Sequence, residues 1–429
     1  MAQEARFPKL LTHVAGVPVA DVVRDFGTPT FVYDAAVIED RIRRLRRFDV
    51  VRYAQKANSN LAILDLVRRA GALVDAVSAG EIHRALAAGF RAEGSPPPLI
   101  YTADIFDRDA LAAVAEHGIP VNCGSLDMLE QYAALRATRP ALAAEITLRV
   151  NPGFGHGHSR KTNTGGDHSK HGVWHADLPE ALARAARAGL RVACIHVHIG
   201  SGVDMAHLAR VAEAAVGFAR QAGPQVSALS AGGGLPTPYR EADPEIDVDA
   251  YFEIWDAERR RLAADFGHAV RLEIEPGRYL VAESGWLVAE IRAVKRQGAN
   301  LFYVLDAGFN NLPRPILYGA YHPMAIAPAG AGRREGTLRD VVVAGPLCES
   351  GDIFTQDENG FVRAEPLPEA QVGDHLVIAC AGAYAFAMSS NYNSKPHAAE
   401  VLVVRGKPHL VRARQSLDDL IRGESIPVL

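Results

Sequence analysis

The chain has 429 residues, 48% of them hydrophobic, and a formal net charge of -4 at pH 7. This length and composition allow a large buried core, arranged either as two domains or as one barrel with an appended domain. Acidic and basic residues are mixed along the sequence, which disfavours a basic surface for nucleic acid. These properties are typical of a globular enzyme and exclude a polyanion-binding protein.

The cysteines, the N-terminus and the apolar segments indicate the compartment. Cys123, Cys194, Cys348 and Cys380 are far apart and lack the spacing of metal ligands or of a disulfide framework, which favours a reducing compartment. The N-terminal sequence lacks the apolar run of a signal peptide, and no apolar segment approaches the ~20 residues of a membrane span. We therefore expect a cytoplasmic protein, and we predict no metal site.

The segment from residue 50 to residue 277 repeats one pattern, in which a short apolar run is followed by a polar loop and a helix of 3.6-residue periodicity. Gly71 and Gly189 stand where two of these helices are expected to end. Eight repeats indicate a (β/α)8 barrel, because open doubly wound sheets usually have about five or six strands. The predicted strands begin near residues 50, 72, 98, 119, 145, 192, 226 and 270.

After Gly277 the pattern changes to strands without intervening helices, which predicts an all-β domain, either a sandwich or a β-barrel. Its last two strands are expected to be joined by a turn at Gly406-Lys407-Pro408. The sequence thus predicts an α/β barrel over 31–280 and an all-β domain over 281–429. Residues 1–30, with the segment TPTFVYD, fit neither pattern and are expected to contribute a strand to the second domain.

Unusual residues follow the predicted barrel strands at their carboxyl ends. In (β/α)8 barrels the chemistry takes place at this end, because the loops converge there while side chains fill the interior. A single lysine at a strand end is more often a surface residue whose apolar stem covers its neighbours, but the joint placement of these residues argues for a site. They are Lys56, Asp75, Ser78, Arg149, Asn151, His198, Gly232–Gly234 and Glu275–Arg278.

The chemistry of these residues indicates one cofactor. A partly desolvated amine at Lys56 can form a Schiff base with an aldehyde. The Gly232–Gly234 run allows backbone N–H groups to approach a phosphate, although a tight turn would also explain it. Glu275 ends an apolar strand and requires a cation, for which a protonated pyridine nitrogen would serve. His198 offers a flat ring, unless it is a core histidine. Together these features indicate pyridoxal 5'-phosphate.

Nine segments in the expected order resemble the fold-type III pyridoxal-phosphate decarboxylases, and within them the diaminopimelate decarboxylase family. They extend from about residue 30 to residue 395 and cover nearly the whole chain. The segments are FVYD, YAQKANSN, VDAVSAGE, LRVNPGFGHGHSRKTNTGGDHSKHG, HVHIGSGVD, SAGGG, EPGRYLV, GPLCESGD and GAYAFAMSSNYNS.

The resemblance implies a role for each residue of the cofactor site. Lys56 carries the Schiff base, His198 stacks on the cofactor ring and Glu275 pairs with the pyridine nitrogen. The phosphate is held by the glycine loop with further residues. The implied cofactor-binding set is Lys56, Asp75, His198, Ser201, Gly233, Gly234, Glu275, Gly277, Arg278 and Tyr384.

The resemblance also implies a homodimer with shared sites, in which Cys348 and Glu349 reach the site of the partner chain. Cys348 is then the candidate general acid, because a carbanion left by the loss of carbon dioxide must be protonated. Without its flanking pattern, Cys348 would be interpreted as a small buried hydrophobe.

The family positions that bind the substrate predict its chemistry. Arg278, Arg314 and Tyr318 match positions that bind the distal carboxylate, and Glu349 would take the distal ammonium, with Tyr384 completing the set. Lysine or ornithine would leave the arginines without this partner. The expected reaction is therefore decarboxylation of meso-2,6-diaminopimelate to L-lysine and carbon dioxide, the last step of lysine biosynthesis.

The loop over 153–174 departs from a minimal barrel and is long enough to form a flap over the barrel mouth. It contains His156, His158, His168 and His171. Much of the family has Ser-Lys-Phe-Gly where this chain has Ser-Lys-His-Gly, so we assign these histidines no catalytic role.

Three alternatives remain open from the sequence. The His196-x-His198 pair lies on one strand face, which is a geometry by which barrel hydrolases bind zinc. A second alternative is a non-catalytic binder that kept the fold. The third is a decarboxylase for another diamino acid, such as D-lysine, an ornithine-like compound or a carboxylated polyamine.

Overall fold

The computed structural model describes residues 5–155, 165–198, 200, 204–330 and 337–428. The chain divides into two compact units. The barrel unit comprises Glu39–Thr237 and Pro244–Leu280, and the β unit comprises Met1–Ile38, Pro238–Asp243 and Val281–Leu429. Within the described residues, every helix is too short or too polar to cross a bilayer.

The N-terminal elements begin with a two-stranded antiparallel hairpin of β1 (His13–Val14) and β2 (Val17–Pro18). The helix α1 (Val19–Phe26) follows and ends at Gly27, whose φ of 70° suits glycine. Then come the strand β3 (Thr30–Asp34) and the helix α2 (Ala35–Arg44).

The barrel unit contains a closed barrel of eight parallel strands, which confirms the predicted fold. The strands pair in sequence order, β12 pairs with β4 to close the barrel, and β9 is a short addition to β8. Each of the predicted strand segments contains one barrel strand. The eight barrel strands are β4 (Val50–Ala54), β5 (Leu73–Ala76), β6 (Leu99–Ala103), β7 (Val121–Cys123), β8 (Glu145–Asn151), β10 (Arg191–His196), β11 (Ala228–Ser230) and β12 (Arg271–Ile274), and the added strand is β9 (Val173–Trp174).

A helix follows each barrel strand, because polar N-caps alternate with the apolar strands. Asn60, Ser78, Asp107 and Ser125 each accept a hydrogen bond from a backbone N–H of the first helical turn. Ser78 at the end of β5 therefore has a structural role. The helices are α3 (Leu61–Arg69), α4 (Ala79–Ala87), α5 (Arg108–His117), α6 (Leu126–Thr138), α7 (Leu178–Arg187), α8 (Met205–Ala222), α9 (Val248–Phe266) and α10 (Arg278–Val281).

A buried ion pair joins the first and last barrel strands. Arg52 on β4 places Nη2 3.2 Å from Glu273 Oε2 on β12, and its Nη1 donates to the backbone oxygen of Pro97 at 2.8 Å. Both charged side chains are buried. The charges Arg52 and Arg271 lower the pKa of Glu273 despite its burial, so the carboxylate stays ionised.

The β unit is built on one mixed sheet around the long strand β13. The sheet has the order β17-β16-β14-β13-β3-β19-β20, and β18 pairs with both β13 and β15. The elements are β13 (Gly285–Gln297), β14 (Asn300–Leu305), α11 (Arg314–Tyr318), β15 (Met324–Ala327), β16 (Leu338–Ala344), β17 (Glu365–Pro368), β18 (His375–Ile378), β19 (Ala399–Val404), β20 (Lys407–Arg412) and α12 (Leu417–Leu420).

Three details of the β unit differ from the sequence prediction. The predicted boundary after residue 30 differs from the unit that includes Met1–Ile38, whereas the strand expected from TPTFVYD is present as β3, which pairs with β13 and β19 in the sheet of the β unit. The short helix α11 lies where only strands were predicted. The turn between β19 and β20 is Arg405-Gly406, both at positive φ, while Lys407 and Pro408 already belong to β20. A turn of this kind follows the twist of the two paired strands.

Candidate active site

Lys56 lies at the carboxyl end of the first barrel strand. It occupies the middle of a short turn over Gln55–Ala57, in which both neighbours are buried and Lys56 itself is exposed. The turn is anchored on both sides, because Gln55 Nε2 donates to the backbone oxygen of Asp75 (3.3 Å) and Ala54 N–H donates to that of Pro276 (3.2 Å). The amine is therefore presented on a rigid base.

Asp75 is buried at the end of β5 and belongs to the same group of charges. Burial and the neighbouring charge of Glu275 raise the pKa of Asp75, while the charge of Lys56 acts in the opposite direction. Lys56, Asp75 and Glu275 thus interact electrostatically at one end of the barrel.

Glu275 follows β12 directly and is held by two side chains. Ser230 Oγ donates to its Oε1 at 2.7 Å, and His196 Nε2 lies 3.5 Å from its Oε2. Burial lowers the pKa of His196 to about 4, so the ring is neutral at pH 7. Asn122 Nδ2 lies 2.6 Å from His196 Nδ1, and an amide donor there leaves the ring proton on Nε2, facing Glu275.

His198 is oriented by the glycine loop. The backbone N–H of Gly233 donates to His198 Nδ1 at 3.0 Å, so this nitrogen carries no proton. Desolvation, followed by the charges of Arg149 and Lys56, holds the pKa of His198 well below its ordinary value. A neutral ring is therefore presented at pH 7.

The glycine loop can be formed only by glycine. A Cβ on Gly232 would lie 2.3 Å from the backbone oxygen of Val197, and one on Gly233 would lie 2.5 Å from that of Glu275. Gly232 and Gly234 also have φ of 61° and 97°. Gly277 is close-packed too, since its Cβ would lie 3.1 Å from the backbone oxygen of Ala54. Ser201 lies outside the described residues.

The base of the loop over 153–174 is held by β6 and β8. His171 Nδ1 lies 2.5 Å from Asp104 Oδ2, and Gly172 N–H donates to Asp104 Oδ1 at 2.9 Å. Asn151 Nδ2 donates to the backbone oxygen of His171 at 3.1 Å. His171 thus has a structural partner, and His168 is exposed. The two other loop histidines, at 156 and 158, lie outside the described residues.

A second group of predicted residues belongs to the β unit. Arg314 and Tyr318 are four residues apart on α11 and therefore share one helix face. Arg314 is buried, and its Nη1 donates to Tyr239 OH (3.0 Å) and to His322 Nε2 (2.8 Å). His322 Nδ1 lies 3.0 Å from the backbone oxygen of Ala379, which places the ring proton there and leaves Nε2 as the acceptor.

Cys348, Glu349 and Tyr384 occupy loops of the β unit. Cys348 and Glu349 are exposed at the tip of the loop after β16. Tyr384 has a φ of 55°, which is rare for an aromatic residue and typical of functional sites. Arg278 begins α10 in the barrel unit and is partly buried.

The structure therefore places the described residues predicted to bind the cofactor at the carboxyl ends of the barrel strands, except for Tyr384, which lies in the β unit. The residues predicted to bind the substrate, other than Arg278, also lie in the β unit. The sequence missed the contacts of Asn122, His196 and Ser230 around Glu275. His196 was noticed only as half of a zinc-binding pair. Its partners are Asn122 on β7 and Glu275 directly after β12, and the spacing of these residues along the chain does not indicate the contacts.

Comparison with known proteins agrees with this site. Residues 36–282 match the family model described as the pyridoxal binding domain of pyridoxal-dependent decarboxylases. A diaminopimelate decarboxylase of Streptomyces coelicolor is 53% identical over 423 residues, covering 99% of this chain and 95% of that protein. One from Escherichia coli K12 is 50% identical over 398 residues, covering 92% and 94%. The chain belongs to the diaminopimelate decarboxylase family.

Solved structures of diaminopimelate decarboxylases share this fold. A crystal structure of one aligns with a TM-score of 0.90 at 48% identity, covering 95% of this chain and 98% of that chain. The expected resemblance to the family is thus confirmed over both units.

The barrel unit fits the cofactor of the diaminopimelate decarboxylase family, pyridoxal phosphate. The glycine loop exposes backbone that any Cβ would block, as an anion cradle requires. Glu275 supplies a buried carboxylate supported by Ser230 and His196, and Lys56 supplies an amine on an anchored turn. The donor set therefore matches a phosphate, a protonated ring nitrogen and an aldehyde.

Proposed function

We propose that this protein decarboxylates meso-2,6-diaminopimelate to L-lysine and carbon dioxide with pyridoxal phosphate. It is a carboxy-lyase of lysine biosynthesis. The observation that carries this conclusion is 53% identity to a diaminopimelate decarboxylase across 99% of the chain. The matched length spans both groups of predicted site residues, those at the barrel mouth and those in the β unit.

The barrel residues hold the cofactor, which supplies an electron sink for the pair left when carbon dioxide departs. Lys56 would attach it through Nζ. Glu275, beside Ser230 and His196, would keep a proton on the pyridine nitrogen. The neutral ring of His198, oriented by the N–H of Gly233, would contact the cofactor ring.

The phosphate would be held by the glycine loop, through the backbone N–H of Gly234, with Gly277, Arg278, Ser201 and Tyr384, while the N–H of Gly233 is donated to His198. Burial raises the pKa of Asp75 and the charge of Lys56 lowers it, so the protonation of Asp75 depends on the charge of the amine. These assignments rest on the resemblance to the family and are supported by the close packing of the glycines.

Cys348 provides the proton that replaces the lost carboxylate, from Sγ to the α carbon. Its exposure on a loop tip supports this role, because the other three cysteines are buried and cannot reach a substrate. Glu349 beside it accepts the distal ammonium of the substrate.

Arg278, Arg314 and Tyr318 bind the distal carboxylate, and this set selects against lysine and ornithine. Arg314 is buried, and its Nη1 donates to Tyr239 and to His322. A substrate without the second carboxylate would lose its charge-assisted contacts with the arginines, at a cost of about 1–3 kcal/mol for each lost contact.

We further propose a cytoplasmic homodimer in which each site is completed by Cys348 and Glu349 of the partner chain. The exposure of Cys348 and Glu349 on a surface loop supports a shared site. The homodimer that the resemblance to the family implies supports it as well. Four free thiols support a reducing compartment.

The function is tested by a substrate screen with the purified protein. Carbon dioxide release from meso-diaminopimelate is expected to exceed release from lysine, ornithine and arginine by at least about a hundredfold. Comparable release from ornithine would favour a decarboxylase of another diamino acid and would remove the proposed roles of Arg314 and Tyr318. A Lys56→Ala variant provides the inactive control.

A further inference from the structure

The loop that carries Cys348 and Glu349 is fixed at its base by Asp352. The buried carboxylate of Asp352 accepts the backbone N–H of Phe309 at Oδ1 (2.7 Å) and that of Leu347 at Oδ2 (2.8 Å). The backbone oxygen of Asp352 accepts the N–H of Gly345 at 2.9 Å. A Cβ on Gly345 would lie 2.2 Å from Asp352 Oδ2, so only glycine fits there. The loop is therefore closed tightly up to Leu347.

At the tip of the loop, Glu349 is joined to the base by its backbone, since its N–H donates to the oxygen of Leu347 (2.8 Å) and its oxygen accepts the N–H of Asp352 (3.0 Å). The tip also contacts a different segment, Tyr392-Asn393. The backbone N–H of Cys348 donates to Asn393 Oδ1 at 2.7 Å. The hydroxyl of Tyr392 lies 3.5 Å from Glu349 Oε2. Cys348 and Glu349 thus each make one contact with this segment, and neither of these two contacts involves Asp352.

The backbone of the segment is shaped for these contacts. Asn393 has φ 53° and ψ 28°, a left-handed conformation that asparagine tolerates better than most residues. The ring of Tyr392 stacks on Phe309, with centroids 5.3 Å apart and planes at 28°. Phe309 is itself bound to Asp352, so the base and the tip of the loop are tied to one framework.

We propose that Asn393 and Tyr392 are positioning residues for Cys348 and Glu349. Asn393 fixes the backbone that carries the proton-donating thiol, and Tyr392 fixes the carboxylate that accepts the distal ammonium. This inference rests on the proposed function for the roles of the two tip residues. A donor that is misplaced by about 1 Å can lose about a hundredfold in rate, which is why a single amide acceptor matters here.

Three variants of the holoenzyme separate positioning from folding. Asn393→Gly keeps the left-handed backbone and removes the acceptor, whereas Asn393→Asp keeps an acceptor at Oδ1. Tyr392→Phe keeps the stack on Phe309 and removes the hydroxyl. Asn359→Gly, at another exposed asparagine of the β unit, is the matched control.

The kinetic results should differ between the variants. Asn393→Gly is expected to lower kcat on meso-diaminopimelate by at least about tenfold with little change in KM, and Asn393→Asp to stay within about threefold of the parent. Tyr392→Phe is expected to raise KM by about fivefold and to leave kcat nearly unchanged. Equal kinetics of Asn393→Gly and Asn359→Gly would overturn the proposal.

Alkylation of Cys348 by iodoacetamide gives a second readout that does not depend on turnover. The rate at this peptide, followed by mass spectrometry with the three buried cysteines as internal references, should rise several-fold in Asn393→Gly and in none of the other asparagine variants. An unchanged rate in Asn393→Gly would overturn the proposal. Full activity of Cys348→Ala would instead refute the proposed acid role, and the alkylation rates would still report whether Asn393 holds the tip.

Discussion

Gly233 donates its backbone N–H to Nδ1 of His198 at 3.0 Å, which ties the glycine loop after β11 to the ring at the end of β10. The glycine loop, which we propose to bind the phosphate, thereby also fixes the tautomer of His198, which we propose to contact the cofactor ring. Loss of either residue should disturb both functions.

The first prediction concerns Gly233→Ala. The new Cβ would lie 2.5 Å from the backbone oxygen of Glu275, so the loop must shift and the His198 contact is lost. We expect cofactor affinity to fall at least about tenfold and stability to fall by about 1–3 kcal/mol. Cofactor titration followed by fluorescence and urea unfolding measure these effects.

The matched control is Gly217→Ala in the interior of α8, where a Cβ would meet nothing within 4 Å. This variant should gain up to about 1 kcal/mol from helix propensity and bind the cofactor normally. Equal cofactor affinity in Gly233→Ala and Gly217→Ala would contradict the cradle.

The second prediction concerns the pH dependence of stability through His196. Its pKa is lowered by burial to about 4, below that of an unfolded histidine, so the unfolded chain binds the proton first as the pH falls. Through His196, stability should therefore be lost between about pH 6.5 and pH 4, by about 2 kcal/mol on going from pH 7 to pH 5. His198, whose pKa is also lowered, should add to the loss in the parent protein. Urea unfolding of the cofactor-free protein at both pH values measures this loss.

His196→Gln removes the titrating ring and keeps an amide that can face Glu275. The loss of stability between pH 7 and pH 5 should be smaller in this variant by about 2 kcal/mol, whereas His409→Asn, at an exposed histidine, should follow the parent. An identical pH dependence in His196→Gln and the parent would show that His196 is not the responsible group.

The third prediction concerns Arg314 as the ligand of the distal carboxylate. Arg314→Lys loses the planar fork and its two contacts with Tyr239 and His322, so kcat/KM for meso-diaminopimelate should fall at least about tenfold. Steady-state kinetics check this, with Arg339→Lys as the control because that side chain is exposed. Parental kinetics in Arg314→Lys would exclude bidentate binding of the distal carboxylate by Arg314.

The fourth prediction concerns shared sites. A mixture of Cys348→Ala and Lys56→Ala chains, each inactive alone, should recover up to about one quarter of parental activity, because half of randomly mixed dimers contain one complete site. Subunit exchange is verified with differently tagged chains. Exchange without any recovery of activity would place both residues in the site of a single chain.

The barrel could be predicted from the sequence because its signal is local. Each strand is a short apolar run followed by a helix with its own polar cap, as at Asn60 and Ser78. Lys56 and Glu275 stood out because charged side chains at the ends of apolar strands require a reason. Their meeting at one mouth follows from parallel strands, which all end on the same face.

The contacts that could not be predicted join residues that are distant in the sequence. Asn122, His196 and Glu275 come from three strands, and nothing in the spacing of these residues indicates that they are partners. A strand from TPTFVYD was expected in the second domain, but its partners could not be predicted, because β13 lies more than 250 residues from β3 and β19 lies further still. The helix α11 is only five residues long and too short to show a period.

The link between Lys56 and the cofactor is tested most directly by reduction of the purified, cofactor-loaded protein with borohydride, followed by peptide mass spectrometry. We expect one pyridoxyl-phosphate group per chain, on Lys56, with loss of the visible absorption band and of decarboxylase activity. A reduced protein whose Lys56 peptide is unmodified would contradict this link.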